Sequence, residues 1–419
     1  MIETQLKEFL KKYPTDVIYV GFSGGIDSVV LLHALNQLKT SLKFTLKAIH
    51  INHKLQAAAE DWAVFCETFS HQLDIECINI TLTDSPEKGE SIEAWARQKR
   101  YDRFQRLLQN ETNPHLYLAH HQNDQVETFL LNLMRGSGIA GLSAMPIIRK
   151  TSTYMLLRPL LDIPRSSIHA YAHLHQLSYI DDPSNQNTRF DRNFMRHEIV
   201  SRLSQRFNAL SNISQSVNYC QETANLLEQY LENDLSLILK DNQHINLSSL
   251  LKLDKIKQLY LIRLWIKKSC ITPPNRKQMN QFINSVKHAK NNWQFIFSKY
   301  IIIYYNELLQ LYKNTPEIPS NFHLPWTGEP IEIMEYNFSI TKADLQALGI
   351  NTNRLNWQKV IIRARKPNDA CRPFGRDKSN KLKVIFQEKQ IPQWIRARTP
   401  IIEYEGKILA IGKLLGCCL

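Results

Sequence analysis

The stretch Gly21-Phe22-Ser23-Gly24-Gly25-Ile26-Asp27-Ser28 decides the fold of the first half of this chain. Residues 17–20 before it are apolar and predict a buried strand, and apolar residues at helical spacing from 29 to 38 predict a helix. A strand, a glycine-rich turn and a helix in that order direct backbone N–H groups and the positive helix end at one point. The stretch therefore predicts an anion site. It is not a Walker A motif, because no Gly-Lys-Ser/Thr follows at the required spacing.

The side chains of this loop suit phosphate binding. Gly24 and Gly25 can adopt positive φ and let an anion approach the backbone, while Asp27 can hold a cation beside phosphates. A tight turn that merely joins a strand to a helix is the alternative interpretation. The loop resembles the SGGxDS loop of the PP-loop ATP pyrophosphatases, which adenylate an oxygen atom and release pyrophosphate. The resemblance implies ATP and Mg²⁺, with the metal held by Asp27 and the phosphates bound by Ser23, Gly24, Gly25, Ile26, Asp27 and Ser28.

The composition of the whole chain sets wider limits. Its 419 residues suffice for two or three domains. The first residues lack the apolar core of a signal peptide, no run approaches a membrane span, and the seven cysteines are scattered. We therefore expect a cytoplasmic protein without a membrane partner. The formal net charge of +13 suits a polyanionic partner such as nucleic acid, although a basic balance alone is a weak signal.

Residues 1–215 alternate strand-like and helix-like segments, which predicts an α/β domain built on a parallel sheet. Three further strands are expected, at 44–51, 75–82 and 116–119. Polar motifs follow the first, second and fourth strands, namely the loop at 21–28, Asn52-His53 and His120-His121. Because ligands of open parallel sheets bind beyond the carboxyl ends of the strands, these motifs should meet at one edge of the sheet.

Further motifs extend along this domain, at Arg100-Tyr101, Asp124, Glu127-Thr128, Arg158-Pro159, Asp182-Pro183-Ser184-Asn185, Arg192-Asn193 and Arg196. In order and spacing, the whole set is similar to the tRNA(Ile)-lysidine synthetases. The family usually has two adjacent acids after the histidines, whereas the first of these positions is Asn123 here. Since asparagine carries no charge, we assign Asn123 no metal or base role.

This resemblance implies one reaction with three substrates. ATP activates C2 of the wobble cytidine of a minor tRNA(Ile) with a CAU anticodon, and free L-lysine then displaces AMP to leave lysidine. The modified anticodon reads AUA instead of AUG. The resemblance also implies the catalytic residues, which are Asp27, Arg100, Asp124, Glu127, Arg192 and Arg196.

The spacing of these residues leaves some roles open. Asp124 and Glu127 fall on one helical face, where they can bind the lysine ammonium, act as general base, or merely cap the helix. Arg192 and Arg196 would face one anion, either the RNA backbone or the AMP phosphate, unless they form a solvated basic face. Arg100 could stabilise charge at the α-phosphate. Contacts to ATP or substrate are further expected from Asn52, His53, His120 and His121.

The rest of the chain changes in character. Residues 216–315 predict a mainly helical middle domain, with helices at 217–239, 250–268 and 275–288 and a hairpin at 293–305. The resemblance to lysidine synthetases implies that this domain contacts tRNA. Four prolines mark 316–330 as a linker, and 331–419 predict a small α+β domain.

The final domain carries a strong basic bias. Between Arg363 and Arg398 there are eleven Lys and Arg against three Asp and Glu. This block is similar to the C-terminal tRNA-contacting domain of the longer lysidine synthetases, although the usual Gly-Asp-Arg is Asn368-Asp369-Ala370 here. The similarity implies tRNA binding by Arg363, Arg365, Arg372, Arg376, Lys381, Lys383 and Arg396.

Three other functions fit the chain less well. A tRNA thiolase needs paired cysteines, and Cys66 and Cys77 lack that spacing. A small-molecule amidotransferase would carry a glutaminase domain, and too few residues precede Gly21 for one. An RNA-binding protein with an inactive nucleotide fold should have lost Asp27. No protein partner is implied beyond a homodimer.

Overall fold

The computed structural model describes residues 2–54, 56–86, 92–389 and 391–418. The chain divides into two compact units, Met1–Tyr230 and Leu231–Leu419. This boundary falls after the domain boundary expected at residue 215. No helix in the described part of the chain is long and apolar enough to cross a membrane.

The first unit combines a sheet with helices. Its strands are β1 (Val17–Gly21), β2 (Thr45–Asn52), β3 (Glu76–Thr81), β4 (His115–Tyr117), β5 (Ile148–Lys150) and β6 (Met155–Leu157). Its helices are α1 (Ile2–Lys12), α2 (Ile26–Leu42), α3 (Ala59–Gln72), α4 (Ile92–Leu108), α5 (Gln122–Met134), α6 (Ile139–Leu142), α7 (Arg165–Leu174), α8 (Asp191–Phe194), α9 (Ser201–Arg206) and the start of α10 (Ala209–Ile238). A 3₁₀ turn (Pro183–Gln186) precedes α8, and a π-helix (Met195–Val200) follows it.

The strands of this unit hydrogen-bond in the order β3-β2-β1-β4-β6-β5, and all neighbours except β5 and β6 are parallel. This is the fold class predicted from the sequence. Strand β1 is central because both its faces are apolar: Val20 packs in a core with α1 and α2, and Tyr19 packs in a core with α4. The strand order reverses between β1 and β4, which is where open sheets of this kind bind ligands.

The second unit contains two larger antiparallel sheets. Its helices are α11 (Leu247–Leu251), α12 (Lys255–Lys268), α13 (Arg276–Val286), α14 (Lys342–Ala347), α15 (Leu382–Glu388) and α16 (Gln393–Ala397). Its first strands are β7 (Leu239–Lys240), β8 (His244–Asn246), β9 (Trp293–Phe297), β10 (Tyr300–Tyr305) and β11 (Leu308–Lys313), in the order β7-β8-β11-β10-β9. The prediction of a hairpin is confirmed for β9 and β10, and β11 extends it.

The remaining strands lie in the C-terminal part. They are β12 (His323–Pro325), β13 (Ile331–Ile333), β14 (Phe338–Ile340), β15 (Val360–Arg363), β16 (Ala370–Pro373), β17 (Asn380–Lys381), β18 (Ile401–Tyr404), β19 (Lys407–Ile411) and β20 (Leu415–Cys418). Strands β13 and β14 pair with each other, and the others follow the order β12-β15-β18-β19-β20-β16-β17. Short 3₁₀ turns occur at Met334–Tyr336, Thr352–Arg354 and Trp357–Lys359.

The segment expected to be a linker, 316–330, is partly structured. His323 pairs with Arg363 across β12 and β15, and Trp326 is only 2% exposed in the core of this region. Pro325 is tolerated because β12 is an edge strand, where a missing N–H breaks no ladder. The second half of this segment therefore belongs to the C-terminal domain.

Candidate active site

The glycine-rich loop between β1 and α2 is held by a distant part of the chain. Gly24 has a φ of +79°, and its carbonyl accepts a hydrogen bond from the Ile180 N–H at 2.9 Å. A Cβ atom at Gly24 would lie 2.4 Å from Ile180 Cδ1. Only glycine satisfies both the backbone conformation and this close approach.

We expect Gly24→Ala to damage nucleotide binding more than folding. The substitution would strain the backbone by about 1–3 kcal/mol and push the loop away from Ile180. ATP affinity, measured by calorimetry, should fall at least ~10-fold, since 1.4 kcal/mol corresponds to tenfold. Gly138→Ala is the matched control, because Gly138 has negative φ and open space around its Cα. Equal ATP affinities of the two variants would contradict this role.

The serines of the loop differ in their roles. Ser28 Oγ accepts from the Ser23 N–H at 3.2 Å and donates to the Gly25 carbonyl at 2.9 Å, so this hydroxyl shapes the loop itself. Ser23 Oγ accepts from the Gly25 N–H at 3.4 Å and lies 3.2 Å from Ser28 Oγ. Gly25 is the N-cap residue of α2 and has no side chain to cap the helix. N–H groups of the first turn are therefore available to an anion.

Asp27 could hold a magnesium ion. Its side chain is 33% exposed, and within the described residues its Oδ1 accepts no hydrogen bond. Mg²⁺ in nucleotide sites is commonly bound by one or two carboxylates together with substrate phosphates. No cluster of three potential protein ligands occurs in the described chain, at Asp27 or at any other place, so a metal here would depend on the nucleotide for its remaining ligands.

His121 connects Asp27 to helix α5. Its Nδ1 accepts from the Asp124 N–H at 3.4 Å, which places the proton on Nε2, 3.6 Å from Asp27 Oδ1. The Asp124 carboxylate in turn accepts from the His121 N–H at 2.9 Å, completing a capping box. Burial alone would lower the pKa of His121, but the carboxylates of Asp124 and Asp27 raise it. His121 therefore stabilises negative charge on both sides of the site.

Two other residues that were predicted to contact ATP or substrate, His53 and His120, lie close enough to Arg100 to feel its charge. Burial and the Arg100 charge lower the pKa of His53 to about 4. Burial lowers the pKa of His120 to about 3. The Asp124 carboxylate opposes this shift, and nearby cations, including Arg100, add to it. Both histidines are thus neutral at pH 7 and can accept or donate a hydrogen bond. Asn52 is 3% exposed, and its amide nitrogen has no hydrogen-bond partner in the described chain.

Two arginines are held on two buried carboxylates. Arg192 Nε donates to Glu127 at 2.7 Å and its Nη2 donates to Asp124 at 2.9 Å. Arg196 Nε donates to Glu127 at 2.6 Å. The Glu127 side chain is 2% exposed, whereas the two arginines keep about a quarter of their exposure, at 26% and 22%. The guanidinium groups are thus fixed in orientation and still reachable by a substrate.

The backbone around Arg196 is a π-helix, Met195–Val200, inserted between α8 and α9. Such segments are rare and frequently occur at functional sites. The structure shows that Arg192 precedes this segment and Arg196 lies inside it, and both reach the same carboxylate. The interpretation of the arginines as a solvated basic face is therefore not favoured.

Sequence reasoning missed the contacts that hold these segments together. Asn123 Oδ1 accepts from the Arg165 N–H at 3.1 Å, so this amide joins the starts of α5 and α7. Gln56 donates to Asp182 at 3.1 Å, and Asp182 caps the 3₁₀ turn before α8. The Asp-Pro pair at 182–183 is the only sequence signal for such a cap.

Comparison with known proteins places this geometry in a family. Residues 1–203 match the PP-loop domain, and residues 360–419 match the TilS substrate C-terminal domain. A tRNA(Ile)-lysidine synthase from Coxiella burnetii is 38% identical, covering 96% of this chain and 88% of the relative. The chain belongs to the tRNA(Ile)-lysidine synthase family. A member from Francisella tularensis subsp. holarctica is 36% identical, with 97% of each chain covered.

Solved structures give only a partial match to this lysidine synthase family member. The U34-tRNA thiolase from Methanococcus maripaludis is 17% identical, covers 53% of this chain and 78% of its own, and has a TM-score of 0.46.

The basic C-terminal residues of this lysidine synthase family member fall into three groups by exposure. Arg363 is 5% exposed, donates to both Asp369 oxygens at 2.8 and 2.9 Å, and donates to Glu403 at 2.5 Å. This contradicts its predicted contact with tRNA, because its donors are already engaged inside the domain, and we assign it to folding. Arg365, Arg372, Lys381 and Lys383 are exposed, whereas Arg376 and Arg396 are partly buried.

Proposed function

We propose that this enzyme ligates free L-lysine to C2 of the wobble cytidine in a tRNA(Ile) with a CAU anticodon, with ATP converted to AMP and pyrophosphate. The observation that carries the proposal is the arrangement at the carboxyl ends of β1 and β4. There the phosphate loop and Asp27 lie beside a histidine-linked carboxylate that holds Arg192. Family membership supports lysine as the nucleophile.

In the first step, we propose, the cytidine O2 attacks the α-phosphate. An O–P bond forms and the bond to pyrophosphate breaks, giving an adenylated cytidine. The N–H groups at the start of α2 would bind the phosphates, Asp27 would hold Mg²⁺, and Arg100 would offset charge near His53 and His120. Mg²⁺ supplies positive charge that neutralises the phosphates. Positioning and charge neutralisation are the main sources of rate enhancement in such a transfer.

In the second step the lysine amine attacks C2 as its C–N bond forms, the C–O bond to AMP breaks, and the proton of the amine passes to water or to the departing AMP phosphate. Burial would raise the pKa of Asp124, but the charges of His121 and Arg192 lower it to about 2, so this carboxylate is a weak base. Glu127 is occupied by two guanidinium groups. We therefore propose that Asp124 and Glu127 position Arg192 and Arg196, which stabilise the departing AMP phosphate or the RNA backbone.

The proposal extends to decoding and to tRNA binding. Lysidine at the wobble position would change codon reading from AUG to AUA, and we place the reaction in the cytoplasm. The middle and C-terminal regions, 216–315 and 331–419, would hold the body of the tRNA. A homodimer is compatible with this scheme but not required by it.

Lysine transfer tests the proposed function directly. The protein would be incubated with the tRNA transcript, ATP, Mg²⁺ and labelled lysine, and the label on RNA counted. The matched control is the same transcript with uridine at the wobble position, which should take up no label. An absence of lysine on the CAU transcript, with sulfur transfer found instead, would refute the proposal.

We expect Arg372→Ala with Arg376→Ala to weaken tRNA binding and reduce its salt dependence. Each lost phosphate contact should lower the slope of log K against log salt by about 1. Arg376 is paired with Glu388 at 2.7 Å, so its share should be smaller than that of exposed Arg372. Filter binding over a salt series measures both effects, with ATP affinity unchanged. Lys11→Ala, at an exposed pair in α1, is the control; an unaltered slope in the double variant would rule out these contacts.

A further inference from the structure

A cavity of about 180 Å³ lies in the second unit. Ile301 and Ile303 of β10 line it, together with Tyr312, Tyr336 and Trp394. Sites for drug-sized ligands usually have about 300–1,000 Å³, so this cavity suits a single ring system. Its size and aromatic walls point to a small planar group.

Trp394 is the largest side chain of this cavity. It is 7% exposed, and its indole Nε1 has no hydrogen-bond partner within the described residues. Its ring centroid lies 5.3 Å from that of Tyr305 and 6.2 Å from that of Tyr312, which fixes the orientation of the indole. A buried indole N–H usually finds an acceptor, so its lack of one here is consistent with a ligand that supplies it.

The charge around the cavity is positive. Lys313 is exposed, and its Nζ has a long contact of 3.5 Å to Asn337. Arg398 Nε donates to the Thr315 carbonyl at 2.7 Å and its Nη1 donates to the Trp394 carbonyl, which holds the guanidinium in place. None of the described residues that line the cavity is Asp or Glu. Two cations with no lining carboxylate favour an anionic ligand.

We propose that this cavity binds one unstacked nucleotide of the tRNA, with its base against Trp394 and Tyr312 and its phosphate near Lys313 and Arg398. Single-stranded RNA is recognised by stacking of splayed bases on aromatic side chains, with cations on the backbone. The inference rests on the proposed function, because that function supplies tRNA as the substrate. The cavity adds a nucleotide contact to the charge-based binding of the C-terminal domain.

Ultraviolet cross-linking without a linker tests this contact. The full-length protein with the tRNA(Ile) transcript should yield nucleotide adducts on peptides that contain Tyr312, Tyr336 or Trp394, identified by mass spectrometry. Free AMP in place of tRNA should give no such adduct, and equal labelling by AMP would show a site for a free nucleotide and overturn the proposal. Adducts confined to other peptides would also overturn it.

Substitutions at the rim give a second readout. Lys313→Ala should reduce tRNA affinity on the order of 10-fold in filter binding, and Lys313→Arg should retain most of it. Lys290→Ala, an exposed lysine in the turn before β9, should bind as the wild type does. Wild-type affinity of Lys313→Ala together with absent adducts would refute the cavity as an RNA site.

The lysine-transfer assay on the same samples separates the two proposals. If the wild type transfers lysine but shows no adduct at the cavity, only the cavity inference fails. If adducts form but no lysine is transferred, the proposed function fails and the chain retains an RNA-binding cavity.

Discussion

Asp27→Asn should abolish the formation of AMP and pyrophosphate while leaving tRNA binding largely intact. The substitution keeps the shape of the side chain but removes the charge from an oxygen that has no hydrogen-bond donor within the described structure. If Asp27 holds Mg²⁺ as proposed, the phosphates of the variant lose a positioned cation, and the rate should fall on the order of 10³-fold, as for other preorganised charge contacts. Pyrophosphate release, measured with labelled ATP in the presence of tRNA, follows this step.

Asp61→Asn provides the matched control, because Asp61 is an exposed carboxylate in the first turn of α3. It should release pyrophosphate at the wild-type rate. Raising the Mg²⁺ concentration should restore part of the lost activity if Asp27 acts through the metal. Near-normal pyrophosphate release by Asp27→Asn at ordinary Mg²⁺ concentrations would exclude Asp27 from the chemistry.

Glu127→Gln should lower both stability and lysine transfer. The variant leaves two guanidinium groups with only the Asp124 carboxylate nearby, and breaking a buried ion pair costs about 3–5 kcal/mol. The lower end is expected, because the arginines keep about a quarter of their exposure. At about 2–4 °C per kcal/mol, the melting temperature should fall by roughly 6–12 °C. Lysine transfer should be lost well below that temperature, since the arginines no longer hold their orientation.

Glu198→Gln separates this effect from general loss of charge. Glu198 lies in the same π-helix and pairs with Arg202 at 3.0 Å, but this pair is 42% and 76% exposed. An exposed pair contributes only about 0–1 kcal/mol, so its loss should change the melting temperature little. Similar melting temperatures for the two variants would show that Glu127 does not anchor the arginines.

The phosphate loop and the parallel sheet could be predicted because their signals are local. A strand, the glycine-rich turn and a helix are read from neighbouring residues, and the carboxyl ends of parallel strands meet at one edge wherever the helices pack. The positions of Asp27, His121 and Asp124 follow from that rule. The spacing of Asp124 and Glu127 also placed them correctly on one helical face.

The partners of those residues could not be predicted, because ion pairing is not local in sequence. In the sequence alone, Glu127 resembles a free catalytic acid. Only the fold shows that Arg192 and Arg196 both bind its carboxylate. In the same way, the sequence alone suggests that Arg363 contacts tRNA. The fold brings Asp369 and Glu403 beside it, and these carboxylates bind its guanidinium group. The prediction of a linker at 316–330 differs from the structure for another reason. Pro325 suggested a break in regular structure, but β12 is an edge strand and accommodates a proline.

The hydrogen bond between Ile180 and Gly24 bears on how the enzyme matures during synthesis. Ile180 follows the loop by most of the length of the first unit, so the loop cannot make this contact on the ribosome until α7 and the residues after it have emerged. A nascent chain that already contains β1 and α2 still lacks this brace. This brace on the nucleotide loop is therefore added late in translation.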